Sequence, residues 1–319
     1  MSAEPRLPAE PRLSAETPLS AESHQAAGVI HDLGYRRYDG PRLGRGSIVA
    51  TLTWHSFRSA FGFGRSAKAK IVPVIAAIGL CLPAIVSAFA MAQGHARIVS
   101  YDTYVPVLRN LLMTLFVAVQ APELVSRDIR SRVLPLYFSR PIRPADYPLA
   151  KYLGFTAACL VMMEVPLIAL YAGSVANVHG GAQVWAQTRA LIPGLLVGLM
   201  WALVLAAISL LIASTTGRRA FATGAVAIFF LLTYTLSEIL LQVETTVSQA
   251  TPSPAEKVSG LFSPFTLFDG VRMWLGATNV GDNVPKVGAL GAVYALVLLI
   301  VLGACLAGLA ARYRKATLA

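Results

Sequence analysis

Six long apolar stretches constrain the fold of this chain more than any other feature of its sequence. They cover about residues 71–93, 104–125, 149–173, 192–214, 220–242 and 286–311. A helix needs about 20 mainly apolar residues to cross the hydrocarbon core of a bilayer, and each stretch reaches that length. Only 13% of the residues are charged, about half the share of roughly 25% in soluble proteins. The sequence therefore predicts an all-α polytopic membrane protein with six transmembrane helices and excludes an ordinary soluble enzyme.

Three segments precede the first span. Residues 1–30 contain a six-residue repeat rich in Pro, Ala, Glu and Ser, which predicts a disordered tail because it buries too little apolar surface to fold. Residues 31–46 are basic and aromatic and predict a cytoplasmic leader. Residues 47–70 predict an N-terminal amphipathic elbow helix lying flat in the membrane interface, because helical periodicity gathers the apolar side chains of 47–63 on one face. The six-span domain follows over residues 71–315.

Basic residues orient the spans, because cytoplasmic connections of membrane proteins carry an excess of Lys and Arg. If the N-terminus is cytoplasmic, the inner connections hold most of the 27 lysines and arginines, and the outer ones are sparse. We therefore expect a multi-pass protein of the inner (plasma) membrane with both termini in the cytoplasm. The same asymmetry accounts for the net charge of +11, so we expect membrane lipid and no nucleic acid as a partner.

The connection between the second and third spans, Pro122 to Lys151, carries the clearest functional pattern. It begins with a predicted short charged helix, continues with an apolar patch, and is stiffened by prolines between positions 135 and 148. An apolar patch rimmed by charges is typical of a protein-binding surface. A loop that only fixes topology is the alternative, and it needs neither the patch nor the prolines. The predicted docking residues are Glu123, Arg127, Asp128, Arg130, Arg132, Leu134, Leu136, Tyr137 and Phe138.

This loop resembles the first cytoplasmic loop of the ABC type-2 permease family. The similar residues are Glu123, Asp128, Arg130, Leu134, Pro135, Leu136, Arg140, Pro141 and Lys151. The layout of residues 47–315 is also similar, and the leader HDLGYRRYDG resembles that of actinobacterial permeases of this family. The resemblance implies a coupling helix that sits in a groove of a separate ABC ATPase subunit. It also implies a second permease copy, identical or different, that pairs with this one around a central path.

The chain lacks the residues that bind and hydrolyse ATP. It has no G-x-x-x-x-G-K-[ST] phosphate loop and no Gly-Lys dipeptide. The five histidines and three cysteines are dispersed, so neither a catalytic constellation nor a metal site is predicted. We therefore expect no enzymatic activity and no cofactor in this chain, with ATP and Mg²⁺ on the partner ATPase.

Two further features concern the segment before the last span and the spans themselves. Phe262, Phe265, Phe268 and Trp274 lie in the outer segment before the last span. They predict a short helix or re-entrant hairpin that dips into the outer leaflet. In permeases of the family that the loop resembles, similar short helices shape the exit of the substrate path. Within the spans, Glu164 and Glu238 are candidate path residues, because acidic side chains are costly in a membrane.

Together these features favour the permease subunit of an ATP-driven exporter for a lipid, drug-like or other amphipathic substrate. One alternative is a proton-coupled secondary transporter that uses Glu164 and Glu238. Another is a non-transporting membrane scaffold or a lipid-modifying enzyme. Substrate identity, export against import, and homodimer against heterodimer stay open at this point.

Overall fold

Helices make up most of the computed structural model, which describes residues 40, 44–101, 104, 106–131, 137, 142–178, 180–247, 260–274 and 291–316. Over these ranges there are eight helices and no strand. They are α1 Arg45–Ala60, α2 Ala67–Ala92, α3 Pro106–Arg130, α4 Asp146–Ala176, α5 Gly181–Ser214, α6 Arg219–Val247, α7 Pro264–Trp274 and α8 Gly291–Ala316. The predicted disordered tail, most of the predicted leader and most of the predicted apolar patch lie outside the described residues.

Six of these helices, α2 to α6 and α8, are long and apolar enough to cross a membrane. They coincide with the six predicted stretches, so the predicted all-α, six-span fold is confirmed. The differences lie at the helix ends. Helix α5 begins at Gly181 rather than near residue 192, because hydropathy marks only the apolar part of a helix and backbone hydrogen bonding continues beyond it.

Helix α3 differs from the prediction at its C-terminal end. It runs to Arg130 with Pro122 inside it, so no separate short helix begins at Glu123. A proline within a membrane helix is tolerated where neighbouring helices re-satisfy the freed backbone groups. The charged residues from Glu123 to Arg130 therefore lie on the same continuous helix as the second span.

Helix α5 lies at the centre of the bundle and contacts α3, α4, α6, α7 and α8. Helix α2 packs against α3 and α4 at the side. Large apolar side chains such as Phe89 on α2, Leu232 on α6 and Leu299 on α8 point outward and are exposed. Exposed apolar faces of this extent are typical of helices that contact lipid or another membrane chain.

Helix α1 packs along α4 through small residues. A Cβ atom on Gly154 would lie 2.5 Å from the carbonyl oxygen of Thr53 and 2.7 Å from Cβ of Ser56, so only glycine permits this approach. Ser56 and Ala60 are buried, whereas Trp54 is exposed. A helix from Arg45 to Ala60 thus occupies the first part of the predicted elbow segment, and α2 already begins at Ala67. The amphipathic character of this helix and its position flat in the membrane interface stay predictions.

Candidate functional site

A network of ion pairs joins the helix ends around the α3–α4 connection, here called the loop end of the bundle. Glu123 of α3 pairs with Arg65, which precedes α2, and with Arg219 at the start of α6. Its side chain is only 4% exposed. Because a buried carboxylate needs cationic or hydrogen-bonding partners, this residue links three segments of the chain that are distant in sequence.

A second set of polar contacts joins α4 to α1 and α3. Lys151 Nζ lies 2.9 Å from Asp128 Oδ2, and the Tyr147 hydroxyl donates a hydrogen bond to the same oxygen. On the other side of α4, Arg45 Nε donates to Asp146 at 2.6 Å. This hydrogen bond raises the pKa of the Arg45 guanidinium above its ordinary value. The start of α4 is therefore held from both sides by charged groups.

The α5 and α8 ends are also connected at the loop end. Ser126 on α3 donates to the Ala213 carbonyl at 2.9 Å, and Arg312 on α8 donates to the Thr215 carbonyl at 2.9 Å and to that of Ser214. These carbonyls end α5, where backbone acceptors lack helical partners. The contacts of the loop end thus reach α3, α4, α5, α6 and α8.

A row of tyrosines joins the α3–α4 connection to this network. The rings of Tyr137 and Tyr147 lie 5.2 Å apart, and those of Tyr147 and Tyr313 lie 5.1 Å apart. Tyr147 and Tyr313 are almost fully buried. A displacement of Tyr137 therefore meets Tyr147 of α4 directly, and Tyr147 in turn contacts Tyr313 of α8 and Asp128 of α3. Close-packed side chains of this kind transmit movement.

Beside these tyrosines a groove of about 840 Å³ opens between α1 and the loop end of α3. We call it the loop-end groove. Both basic and acidic side chains line it, and its size is within the range of binding pockets in proteins. Its polar and aromatic lining includes Trp54, His55, Arg58, Arg65, Glu123, Asp128, Ser131, Tyr137 and Lys151.

The predicted docking residues fall into three groups. Glu123, Asp128 and Tyr137 are brought together in the loop-end groove, but the two carboxylates bind cations of the same chain. Arg130 is exposed at the end of α3, and Arg127 lies in α3. Four further predicted residues lie outside the described residues, namely Arg132, Leu134, Leu136 and Phe138.

A second polar cluster lies in the spans near the N-terminal end of α3. Arg109 is 6% exposed, and its guanidinium lies 4.3 Å from the centre of the Trp201 ring on α5. Asp269 of α7 acts electrostatically on Arg109 and pairs with Arg272 at 3.6 Å. Burial raises the pKa of the Asp269 carboxyl above its ordinary value, while the two arginines oppose that rise.

Helix α7 covers this cluster. Phe265 and Phe268 are buried and pack against Trp201 with ring centres 5.0 and 4.7 Å away, whereas Phe262 and Trp274 are half-exposed. The Phe265 amide donates to the Ser263 hydroxyl at 3.2 Å, which caps the helix. The segment before the last span thus contains the short helix that was one of its two predicted forms, and its position on the outer side and its depth in a membrane stay predictions.

The two intramembrane acids lie in separate surroundings. Both carboxylate oxygens of Glu164 are buried and have no hydrogen-bond partner among the described residues. Its Oε1 fills the space where a Cβ on Gly198 would lie, 2.3 Å away. Glu238 instead bonds to the Tyr234 hydroxyl on its own helix and lies near Asp269. These contacts do not join the two acids into one relay.

Next to Gly198 is a cavity of about 20 Å³ between α3, α4 and α5, here called the Arg109 cavity. Its lining is Tyr101, Tyr104, Arg109, Met163, Leu167, Gly194, Val197, Gly198 and Trp201. The sequence reasoning missed Arg109, Trp201, Asp269 and Arg272 as site residues. The available signal was Arg109, a positive charge inside an apolar stretch. Its partners come from other helices, so they form no pattern near it in the sequence.

Fold and site together define a multi-pass α-helical membrane protein, and its six candidate spans fit a membrane transport protein. Within the described part of the chain, no cluster of three or more His, Cys, Asp or Glu side chains could hold a metal ion. A comparison with protein-family models gave no match, and a comparison with curated proteins gave none either.

Proposed function

We propose that this chain is the permease subunit of an ATP-driven exporter of the ABC type. A separate ATPase subunit docks on the α3–α4 connection and the loop-end groove, and the substrate is lipid-like, drug-like or otherwise amphipathic. The connection and both termini then lie in the cytoplasm, and two six-span units pair in the plasma membrane. The resemblance of the loop to ABC type-2 permeases supports the family, and the tyrosine row supports the coupling.

The observation that carries the proposal is the contact of Tyr137 with Tyr147, and of Tyr147 with Tyr313 and Asp128. Closure of the ATPase around ATP and Mg²⁺ moves the loop, and the tyrosine row passes that movement to α3, α4 and α8. Because α3 is one continuous helix through Pro122, a displacement of its end at Arg130 is transmitted along the helix to Arg109. The transporter thereby changes access at the Arg109 cavity.

Arg130→Glu is expected to lower recovery of the ATPase at least tenfold when the tagged chain is purified from native membranes. Arg130 is exposed at the end of α3 and forms no ion pair with the described residues, so reversing its charge changes the docking surface without breaking any of the ion pairs given above. A tenfold loss corresponds to about 1.4 kcal/mol of binding free energy, less than a buried charge pair costs when broken. Reversing the charge of Asp128 is less informative, because Asp128 also forms an ion pair with Lys151 and accepts a hydrogen bond from Tyr147.

The matched control is Lys68→Glu, which reverses an exposed charge at the start of α2. It should leave recovery of the ATPase unchanged, and both variants should reach the membrane in normal amounts. Equal recovery with Arg130→Glu and with the unaltered chain would contradict docking at this loop.

A proton-coupled carrier is the second candidate, and the unpartnered buried carboxylate of Glu164 favours it. Glu164→Gln separates the two candidates, because it removes a titratable proton and keeps the shape of the side chain. If transport is driven by ATP, proteoliposomes with the ATPase and this variant should keep more than half of the parental rate. Loss of transport together with loss of its dependence on a pH gradient would instead support the proton-coupled carrier.

A further inference from the structure

We propose that Arg109 binds a small anionic group, such as a carboxylate or a phosphate oxygen, in the Arg109 cavity. Resting on the function proposed above, we assign this group to the transported molecule. The substrate class is then an anionic amphipath, with its charged group at Arg109 and its apolar part along the spans.

Unsatisfied donors provide the first argument. Nε and Nη2 of Arg109 and Nε1 of Trp201 are buried and find no hydrogen-bond acceptor in the described part of the chain. Both side chains line the cavity and are at least nine-tenths buried. Buried donors without acceptors are rare in proteins and are costly, above all on a charged group. An acceptor brought by a ligand would satisfy them.

The local charge balance provides the second argument. The groups that act electrostatically on Arg109 are Asp269, Arg272 and Tyr234. Asp269 is the one carboxylate among them, and it also pairs with Arg272. The one carboxylate that acts on Arg109 is thus already engaged by Arg272, and an anion bound in the cavity would give Arg109 a counter-charge of its own. Arginine is suited to this role because its planar N–H groups match carboxylate and phosphate oxygens.

The size and lining of the cavity limit the ligand. A volume of about 20 Å³ holds one water-sized group, so a halide or a single oxyanion group fits and a bulky anion does not. Met163, Leu167 and Val197 provide an apolar wall, which suits the carbon chain next to a charged group. Glu164 lies against Gly198, and any negative charge on it would weaken anion binding, so its removal should not harm the site.

Bromide is a direct probe of this site, because a heavy halide quenches tryptophan fluorescence on contact. Trp201 is made the only tryptophan of the full chain by replacing Trp54, Trp185 and Trp274 with Phe, and the protein is held in dodecyl maltoside micelles. Bromide should quench Trp201 in a saturable way at constant ionic strength. Chloride should compete, and gluconate should not, because its hydroxylated chain does not suit the apolar wall formed by Met163, Leu167 and Val197.

Variants of the two charged residues test the assignment. Arg109→Gln should weaken bromide binding at least tenfold, Arg109→Lys should keep part of it, and Glu164→Gln should bind at least as tightly as the parent. The lysine variant retains the charge and so covers the case in which the glutamine variant fails to fold. A linear response of the parent to bromide, or unchanged saturation in folded Arg109→Gln, overturns the anion site.

Competition by two carboxylates separates the possible sources of the anion. If dodecanoate displaces bromide at a concentration at least tenfold lower than acetate, the site selects an anionic amphipath and the substrate assignment is supported. If acetate and dodecanoate compete equally, the site takes free anions and the substrate assignment is overturned. Arg109→Gln should still capture the ATPase, so a failure here is distinct from a failure of the proposed function.

Discussion

Replacing Glu123 by alanine is expected to lower the free energy of unfolding by about 3 kcal/mol, at the lower end of the cost of breaking a buried ion pair. The change leaves the partly buried guanidinium of Arg65 without its carboxylate and removes the ion pair between α3 and α6 at the loop end. The measurement is the midpoint and slope of denaturant-induced unfolding in mixed micelles, followed by helical circular dichroism.

Arg219→Ala is the control for this change. It removes the more exposed partner of the same carboxylate, since the Arg219 side chain is 56% exposed. An exposed ion pair contributes at most about 1 kcal/mol, so the loss should be clearly smaller than for Glu123→Ala. Equal losses in the two variants would show that burial of Glu123 does not matter to the network.

Trp201→Ala is expected to cost about 4 kcal/mol, within the range for removing a large buried aromatic side chain. Trp201 is 1% exposed and contacts Phe265, Phe268 and Arg109. Its removal opens space between α5 and α7 and leaves the Arg109 guanidinium without the ring that covers it. We therefore expect α7 to become accessible to labelling of a cysteine introduced at Phe265, in addition to the lower stability.

Trp185→Ala provides a matched control, because Trp185 is on the same helix but is 57% exposed. A surface substitution of this kind changes stability by about 0.5 kcal/mol or less. If Trp185→Ala destabilised the protein as much as Trp201→Ala, the packing of α7 on α5 would not explain the result.

The two halves of the proposed mechanism meet on α3. Its loop end carries Glu123, Asp128 and Arg130, and its other end carries Arg109. One continuous helix therefore contributes both to the surface proposed for the ATPase and to the cavity proposed for the substrate. This arrangement gives the coupling a direct physical route, because a helix moves as a rigid body over lengths of this kind.

The number, type and approximate limits of the spans were determined by the sequence alone. The bilayer requires about 20 apolar residues with all backbone groups satisfied, and this requirement is local, so it can be counted along the chain. The start of α7 at Ser263 and Pro264 was also predictable, because capping depends on adjacent residues. The unusual charges Glu164 and Glu238 could be identified for the same reason.

Only the tertiary structure decided what the polar side chains contact. The sequence placed Glu123 and Asp128 on a docking surface, and the fold turns both towards cations of the same chain. It also brings Arg109 from one span onto Trp201 from another and near Asp269 from the outer segment. Such pairs depend on how the helices pack and rotate against each other. Residues that are far apart in sequence carry no local pattern that encodes this packing.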